Sequence, residues 1–421
     1  MTDARVAVVG AGVVGLACAW ELRRRDADVV VLERGAIGGG ASRGNTGWVS
    51  PSFTYPLPAP GMVREGLRQL VTGGEAFVLR PSLDPAFVRW LWSFRRSCSS
   101  ARFDVGVLAL LALNRRTLEL FDAYRAAGVA FEMNAAGLVV AARTEGGLDL
   151  YRRIFRRLRE LGYEGGAIDE LDGASVAALE PALDPAQVVV GLHARVDRFV
   201  RPEQLTAGLA EHLRADGVEI REGCELRALE RRAGEWSLET GAGGPVTADV
   251  VVVAAGLPTA PLLRGLGVRV PLIGARGYSV TLAGRGTPPR HALYLAEAKL
   301  GLSPFAGGVR VAGVFELGAR RADAAAPAVG ERLLSAARPY LAGWRPDSDG
   351  PVEAWTGLRP ATPDGLPLIG ALPGLDGLFL ATGHGMLGVT LAPATAELLA
   401  PLVLEGRAGP ELAPFDPARR L

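Results

Sequence analysis

Apolar runs and helical spacing alternate along the first 35 residues. RVAVV (5–9) and ADVVVLE (27–33) are apolar runs typical of buried strands, and GLACAWELRRR (15–25) between them has the spacing of a helix. A glycine turn separates the first strand from the helix. The pattern predicts a βαβ unit with its phosphate-binding turn in the middle.

The rest of the chain continues this alternation, and residues 377–406 repeat the order strand, glycine turn, helix. Short strands separated by Gly and Pro between 270 and 320 predict a separate antiparallel sheet. Helices are predicted over 84–128, over 148–162 and from Pro202 onward, and apolar strands over 137–143 and 248–256.

The alternation predicts an α/β fold with a Rossmann-like dinucleotide-binding domain that is discontinuous in sequence. An α+β domain that carries the antiparallel sheet is inserted into it and would hold the substrate. We place the first domain at 1–55, 199–265 and 355–421, and the second at 56–198 and 266–354.

Composition narrows the function classes. The 421 residues have a net charge of +1, so we expect no nucleic-acid partner. Cys18, Cys98 and Cys224 are too few and too far apart for a disulfide framework or a metal cluster, and we expect no metal. The chain enters a strand at once without a signal-peptide pattern, and the apolar run 105–113 is too short to cross a bilayer. We expect a cytoplasmic protein, with at most peripheral contact with the inner face of the membrane.

The first glycine turn has the G-x-G-x-x-G pattern at Gly10, Gly12 and Gly15. Glu33 follows at the end of the second strand, where a carboxylate can accept a hydrogen bond from a ribose hydroxyl and disfavours a 2′-phosphate. NAD and FAD both fit this pattern. The loop 37–51 can lie along a long cofactor or be a plain surface loop; in the first case Ser42, Asn45 and Thr46 can reach phosphate, ribitol or ring edges.

The second glycine turn contains Gly383, Gly385 and Gly388 between a strand and a helix. Backbone N–H groups at a helix N-terminus favour negative charge, such as that of a reduced flavin. His384 inside the turn either touches the flavin or substrate pocket or packs with a backbone hydrogen bond. His193, His212 and His291 show no ligand spacing.

Upstream of this turn, the three prolines of TGLRPATPDGLPLIG (356–370) rule out a regular helix and predict a rigid turn that presents Arg359. Arg359 either anchors a ligand or pairs with Asp364 or a backbone carbonyl.

Five motifs in this order resemble the FAD-dependent D-amino-acid oxidase superfamily over essentially the whole chain: GAGVVGLACAWEL…VVVLERG, GGGAS, VVVAAG, GLRPATPDGLPLIG and ATGHGMLGVTLAPATAELLA. GNTGWVSPS, FVRWLWSFRRSCSSARF and ARGYSVTL most resemble the bacterial D-amino-acid dehydrogenases of that superfamily. The resemblance implies FAD held by the two glycine turns, by the 41–48 loop and by two further backbone segments. The residues implied are Gly10, Gly12, Val13, Val14, Gly15, Glu33, Arg34, Ala41, Ser42, Asn45, Thr46, Gly47, Trp48, Leu226, Ala254, Ala255, Gly256, Gly383, His384, Gly385, Met386, Gly388, Val389 and Thr390.

The implied reaction is oxidation of the C–N bond of an amino acid, most simply a D-amino acid, by hydride transfer to flavin N5. The imine then hydrolyses to a 2-oxo acid and ammonia. The arginine of the GLRP motif, here Arg359, would pair with the substrate carboxylate. Met386 stands where some relatives have a second arginine, which implies a more apolar pocket. Tyr278 is a candidate hydroxyl in that pocket, or an ordinary strand aromatic.

Several alternatives remain open. The enzyme would be a dehydrogenase that passes electrons to a quinone or another carrier, or an oxidase of glycine, sarcosine or another amine that uses O2. For an oxidase, Lys299, the single lysine of the sequence, is the one candidate to activate oxygen. A flavin-binding subunit without turnover is a further possibility. No cysteine follows Cys224 and no histidine precedes His193, so we expect non-covalent FAD. The segment with Trp90, Trp92 and Phe94 is either a membrane-facing helix or a core helix with a basic outer side.

Overall fold

The computed structural model describes residues 4–64, 77–80, 82–241, 243–318, 327–346 and 353–421. Its helices are α1 (Val13–Arg23), α2 (Pro85–Ser97), α3 (Ser100–Asn114), α4 (Thr117–Ala126), α5 (Asp149–Glu160), α6 (Gly173–Leu179), α7 (Pro202–Ala215), α8 (Thr259–Arg264), α9 (Pro327–Ala337) and α10 (Gly388–Glu405).

The strands of the first half are β1 (Arg5–Val9), β2 (Asp28–Leu32), β3 (Trp48–Val49), β4 (Phe77–Leu79), β5 (Met133–Asn134), β6 (Leu138–Ala142), β7 (Ile168–Asp172), β8 (Val190–Ala194), β9 (Arg198–Val200) and β10 (Glu219–Arg221). Those of the second half are β11 (Leu226–Arg232), β12 (Glu235–Thr240), β13 (Val246–Ala248), β14 (Val250–Val253), β15 (Ile273–Leu282), β16 (Gly284–Gly286), β17 (Ala292–Leu295), β18 (Leu300–Phe305), β19 (Gly308–Leu317), β20 (Trp344–Pro346), β21 (Glu353–Ala361), β22 (Leu368–Ala371) and β23 (Leu378–Thr382).

A six-stranded sheet in the order β10-β2-β1-β14-β23-β22 carries both glycine turns. Its first five strands are parallel and β22 is antiparallel. Val6 and Val8 of β1 pack with helices α1, α7 and α10, whereas Ala7 and Val9 pack with the small sheet β11-β12-β13 on the other side. Both faces are therefore covered, which is why its strands are apolar throughout. This confirms the predicted Rossmann-like sheet.

Helix α10 lies against α1 in the core of this layer. It is the one helix of the described residues that is long and apolar enough to cross a membrane, with a mean hydropathy of 1.3, and most of it is buried. Burial inside the protein explains its composition, because a core helix between two layers is apolar on every side.

A second sheet has nine strands, in the order β21-β15-β19-β18-β17-β6-β8-β7 with β4 beside β19. The predicted antiparallel strands between 270 and 320 are confirmed, but they form part of this larger mixed sheet, in which β17 pairs in parallel with β6. A short sheet β3-β9-β5 links the loop after β2 to the helical segment. The proposed domain boundaries stay a prediction.

The segment around Arg359 differs from the predicted rigid turn. Residues 353–361 form β21, the edge strand of the nine-stranded sheet, in which Arg359 lies opposite Ala275 and Pro360 opposite Gly274. Proline is tolerated because an edge strand leaves one row of backbone groups without a ladder partner. The turn prediction was therefore wrong for Arg359.

Candidate active site

The N-terminal turn packs β1, α1 and the end of β14 tightly together. Gly10 has a φ of +107°, and a Cβ there would lie 2.7 Å from the backbone oxygen of Ala254. A Cβ at Gly15 would lie 1.8 Å from the backbone oxygen of Gly10. Only glycine fits at both positions, and the backbone of the turn remains open to a ligand.

The side chains of Glu33 and Ser42 both accept hydrogen bonds from backbone N–H groups at the N-terminus of α1. Oε2 of Glu33 accepts a hydrogen bond from the N–H of Ala11 (2.8 Å) and Oε1 accepts one from the N–H of Gly35 (2.9 Å). The hydroxyl of Ser42 accepts one from the N–H of Val13 at 3.0 Å. These contacts hold a carboxylate and a hydroxyl beside a helix N-terminus, the place that favours a phosphate.

The loop that follows runs along the nine-stranded sheet. The Ser303 hydroxyl donates to the backbone oxygen of Thr46 at 2.7 Å, and the indole N–H of Trp48 donates to the same hydroxyl at 3.0 Å. The Asn45 side chain accepts the N–H of Gly47 at 2.8 Å. Asn45, Thr46 and Trp48 thus line one continuous path that starts at the N-terminal turn.

The C-terminal turn joins the end of this path. Thr390, in the first turn of α10, donates its hydroxyl to the backbone oxygen of Trp48 (2.8 Å) and accepts the N–H of Ser50 (3.3 Å). Gly385 has a φ of +56°, and a Cβ there would meet nothing within 4 Å. The turn therefore leaves open space above the N-terminus of α10.

His384 packs into the core from this turn. Its Nε2 lies 3.0 Å from the Thr395 hydroxyl, and the ring is buried. Burial lowers the pKa of His384 to about 3, so the imidazole is neutral at physiological pH. Of the two roles open for His384, the geometry favours packing, through a side-chain hydroxyl rather than a backbone group.

Arg359 lies two residues before the contact between β21 and the C-terminal turn. The N–H of Gly385 donates to the backbone oxygen of Pro360 at 3.0 Å, and Ala361 bridges to His384. This pairing ties the arginine strand directly to the C-terminal glycine turn, although Arg359 stands about 350 residues after the N-terminal turn in the sequence.

The guanidinium of Arg359 has an apolar environment. Nη1 donates to the backbone oxygen of Val314 at 3.3 Å, and the group stands 5.9 Å from the centre of the Phe315 ring. Burial lowers the pKa of Arg359 to about 10. Within the described part of the chain no carboxylate pairs with it. Glycine at position 277 makes room for the Arg359 guanidinium, because a Cβ there would lie 2.2 Å from the guanidinium carbon.

Asp364, the partner considered for Arg359, is engaged elsewhere. Its two carboxylate oxygens accept from Nε (2.8 Å) and Nη2 (3.1 Å) of Arg419 near the C-terminus. The pairing of Arg359 with Asp364 is therefore wrong, and the contact with a backbone carbonyl is the one that the structure contains.

Tyr278 lies on the other face of the sheet from Arg359. In the register of β15 and β21, Tyr278 is opposite Thr356 and Arg359 is opposite Ala275, so the two side chains point to opposite faces. The Tyr278 hydroxyl donates to Oε2 of Glu316 at 3.0 Å. The structure does not bring Tyr278 and Arg359 together.

The remaining predicted cofactor residues lie at the two turns or between them. Arg34 and Met386 are exposed. The others are Gly12 and Val14 at the start of α1, Ala41 in the loop, Leu226 at the start of β11, Ala255 and Gly256 after β14, and Gly383, Gly388 and Val389 around the start of α10.

Other polar side chains considered from the sequence have partners of their own. His291 Nδ1 lies 2.9 Å from buried Glu180, and no disulfide joins Cys18, Cys98 and Cys224 within the described residues. Lys299 donates to the Tyr151 hydroxyl at 3.1 Å. The described residues contain no group of three His, Cys, Asp or Glu side chains that could hold a metal.

Sequence reasoning missed Arg310, whose side chain is fully buried. Nη1 donates to the backbone oxygen of Asn45 (2.9 Å) and to Glu203 (3.0 Å), and Nη2 donates to Glu353 (3.1 Å). A polar residue in the strand pattern GGVRVAGVFELG was the one signal available, and it does not reveal partners so distant in sequence.

The residues present fit an FAD molecule. At one end of the site lies the N-terminal glycine turn, where a Cβ would fill the space, with Glu33 at its edge. The 41–48 loop leads from there to the other end of the site, where there is open space at Gly385. Glu33 would bind the ribose, α1 the pyrophosphate, and the N-terminus of α10 the flavin ring.

Comparison with known proteins supports the same class. The model of the FAD-dependent oxidoreductase family known as DAO matches residues 5–402. A D-amino acid dehydrogenase of Phenylobacterium zucineum is 33% identical over 97% of this chain and 95% of its own length. One of Cereibacter sphaeroides is 33% identical over 98% of this chain and 94% of its own.

A crystal structure of glycine oxidase from Geobacillus kaustophilus superposes with a TM-score of 0.76 at 24% identity, covering 100% of both chains. An L-amino acid deaminase of Proteus vulgaris superposes with a TM-score of 0.70 at 21% identity, covering 100% of this chain and 94% of that one. These similarities are of fold. The protein belongs to the FAD-dependent oxidoreductase family, and it is an enzyme that uses FAD.

Proposed function

We propose that this enzyme oxidises the C–N bond of a D-amino acid to an imine, which water hydrolyses to a 2-oxo acid and ammonia. Bound FAD supplies the hydride acceptor, flavin N5. The observation that carries the proposal is Arg359, a partly buried guanidinium without a carboxylate partner in the described residues, on the strand bonded to the C-terminal glycine turn. The names of the relatives that are one third identical support the D-amino acid.

Arg359 would hold the substrate carboxylate. Its pKa of about 10 keeps it charged at neutral pH, and its low-polarity surroundings strengthen a bidentate pair with a carboxylate. Phe315 beside it presents a ring rather than a competing anion. Such a pair fixes the α-carbon relative to the turn, and positioning supplies much of the rate in a reaction of this type.

His384 has no proton-transfer role in this proposal. It is buried, neutral and bonded to Thr395, so it neither charges between pH 5 and 8 nor faces a substrate. We assign the loss of the substrate ammonium proton to water, because the amine must be neutral before hydride leaves the α-carbon. Tyr278 is bonded to Glu316 on the opposite face and receives no role.

The test is Arg359→Lys and Arg359→Ala, assayed with both enantiomers of a panel of amino acids. Loss of a buried charged pair costs about 2–5 kcal/mol, so kcat/KM for the D-enantiomer should fall about 30-fold to several thousand-fold, mostly through KM, with FAD still bound. Arg157→Lys on α5, whose arginine pairs with Asp104, is the matched control and should stay near wild type. Unchanged KM and turnover in both Arg359 variants would overturn the proposed anchor.

The second candidate is an oxidase of glycine, sarcosine or another amine that uses O2. The fold shared with a glycine oxidase favours it. Lys299, the candidate for oxygen activation, lies at the tip of the β17–β18 hairpin and donates a hydrogen bond to the Tyr151 hydroxyl on α5. Substrate-dependent hydrogen peroxide would support the oxidase, and reduction of a quinone analogue the dehydrogenase. If no amino acid bleaches the bound FAD in the absence of oxygen, a flavin-binding subunit without turnover is favoured.

We propose non-covalent FAD, which acid precipitation should release completely.

For the electron acceptor we propose a carrier at the inner face of the membrane, reached from the cytoplasm. Trp90 and Phe94 are buried and stack at 5.3 Å between ring centres, whereas Trp92 is 57% exposed. The side chains of Leu83, Val88, Val105 and Leu108 are exposed nearby in sequence. The guanidinium of Arg96 lies 4.4 Å from the Trp92 ring centre, a combination suited to an anionic lipid surface. Flotation with anionic vesicles that Trp92→Ser abolishes would support this contact.

A further inference from the structure

One transverse row of polar side chains crosses four strands of the nine-stranded sheet. Glu353 on β21 lies opposite Thr281 on β15, Thr281 opposite Arg310 on β19, and Arg310 opposite Ser303 on β18. Directly opposed residues in a sheet share a face, so the four side chains stand in line on one face. We call Glu353, Thr281, Arg310 and Ser303 the polar row.

The polar row is bonded internally through Arg310. Its Nε donates to the Thr281 hydroxyl (3.0 Å) and its Nη2 to Oε2 of Glu353 (3.1 Å). Nη1 also reaches Oε1 of Glu203 on α7 at 3.0 Å. Burial by itself raises the pKa of Glu203, but the charge of Arg310 holds it below its usual range. A fully buried guanidinium is thus balanced by two carboxylates.

Three of the four members hold residues 43, 45 and 46 of one loop. Oε1 of Glu353 accepts from Arg43 (2.9 Å), Arg310 donates to the backbone oxygen of Asn45 (2.9 Å), and Ser303 donates to the backbone oxygen of Thr46 (2.7 Å).

Residues 43–46 are therefore tied to the sheet, two of them through their backbone carbonyls. Glu203 on α7 also accepts a hydrogen bond from the N–H of Gly44 at 2.9 Å. Gly44 permits this approach, since a Cβ there would lie 2.3 Å from the Trp355 ring.

We infer that Arg310 is a positioning residue for FAD, and that the polar row sets the path of the 43–48 loop along the cofactor. The inference rests on the placement of FAD along this loop under the proposed function. Because these backbone carbonyls are bonded to the sheet, the opposite edge of the loop is left to the cofactor. Trp48 is fixed in the same way, because Ser303 accepts its indole N–H at 3.0 Å.

Arginine is required at this point for a geometric reason. The planar guanidinium donates in three directions at once, to Thr281, to Glu353 and to the pair formed by Asn45 and Glu203. A lysine ammonium is a point charge on a flexible stem, and it cannot span these acceptors without moving the loop.

The experiment measures binding of FAD to the apoprotein by quenching of FAD fluorescence. Arg310→Lys should raise the Kd for FAD at least about tenfold, or about 1.4 kcal/mol, and change the fine structure of the flavin absorption bands. Ser303→Ala, which keeps every ion pair, should give a smaller rise, about three- to fivefold, with a shifted flavin midpoint potential. Arg152→Lys is the matched control. That arginine, on α5, has three carboxylate partners: Glu145 just before α5, Asp149 on α5 and Glu170 on β7. The Kd for FAD should stay within about twofold of wild type.

A wild-type Kd, spectrum and potential in both Arg310→Lys and Ser303→Ala would overturn the inference, even if the apoprotein melts at a lower temperature. A lower melting temperature with unchanged FAD binding would show that the polar row only stabilises the fold. Because FAD binding is measured without substrate, an enzyme that oxidises no amino acid would leave this result intact and would refute only the proposed function.

Discussion

The two glycine turns of this protein follow the same order of strand, turn and helix, but their glycines are needed for different reasons. At the first turn, a Cβ on Gly15 would lie 1.8 Å from a backbone oxygen of the protein itself. At the second, a Cβ on Gly383 would lie 2.8 Å from the Thr362 side chain, but one on Gly385 would meet nothing within 4 Å, and one on Gly388 would make an ordinary contact of 3.7 Å with His384. Close packing of the chain requires glycine in the first turn.

The open second turn has its space bounded by residues from other parts of the chain. Thr390 ties it to the 41–48 loop, and β21 contacts it two residues after Arg359. The first turn is therefore a packing joint between β1 and α1, whereas the second leaves open space at Gly385, where we propose that the flavin binds. This difference predicts where substitutions damage folding and where they damage only binding.

The largest expected effect is from Gly15→Ala. The added methyl would lie 1.8 Å from the Gly10 oxygen, so α1 and β1 must separate. Overpacking costs about 1–3 kcal/mol and more where the obstacle is backbone. We expect low soluble yield, or a protein that melts well below wild type and copurifies without FAD. A normal melting temperature with normal FAD content would contradict the assignment of this turn as a packing joint.

A pH-dependent effect on stability is expected next in size, beside the second turn. Asp197 is fully buried and accepts hydrogen bonds from the hydroxyls of Ser50 and Ser52, and Ser50 in turn bonds to Thr390. Burial raises the pKa of Asp197 from 3.8 to about 6, although the serine hydrogen bonds oppose the rise. The folded state thus keeps a proton that the unfolded state releases between pH 4 and 6. The free energy of unfolding should fall by roughly 3 kcal/mol from this group as pH rises through that window.

Urea unfolding at pH 4.5 and 7.5 checks this expectation. Asp197→Asn should lose most of that pH dependence relative to wild type. Asp172→Asn, at the N-terminus of α6, is the control; hydrogen bonds from Ser175 lower the pKa of Asp172, so its removal should not reduce the fall. Equal slopes in wild type and Asp197→Asn would refute the raised pKa.

The smallest expected effect distinguishes two consequences of replacing a glycine, the loss of space for a ligand and backbone strain. Gly385 (φ +56°) and Gly406 (φ +68°) stand at opposite ends of α10, both with open space at a Cβ. Gly385→Ala and Gly406→Ala should each destabilise the apoprotein by about 1 kcal/mol, because alanine is strained at positive φ. Gly385→Ala alone should also weaken FAD binding, by about tenfold in a fluorescence titration. Equal Kd values in the two variants would show that the space at Gly385 is not used by the cofactor.

Local chain chemistry accounts for what was predictable. The βαβ unit, the G-x-G-x-x-G turn and Glu33 follow from a short stretch in which apolar period and turn residues agree. The strand, turn and helix at 377–406 follow for the same reason. The resemblance to FAD-dependent oxidases added the cofactor, which the turn alone left open between NAD and FAD.

The features that the sequence left open or mispredicted are those decided by packing and long-range pairing. The prolines around Arg359 indicated a turn, but an edge strand of the nine-stranded sheet accommodates Pro360. Tyr278 and Arg359 are in motifs of the same family resemblance, and only the register of β15 with β21 places their side chains on opposite faces. Trp90 and Trp92, two residues apart on α2, differ because one faces the core and the other solvent.

By itself the sequence determined the first βαβ unit, its glycine turn and the acidic residue beside it, because each depends on residues within about 30 positions of one another. Tertiary structure alone decided that Asp364 pairs with Arg419, that Arg359 has no carboxylate partner among the described residues, and that Arg310 holds the loop from a distant strand. The physical reason is that partners for buried charges are chosen by strand register and by the packing of the sheets, and neither is encoded in any short segment of the chain.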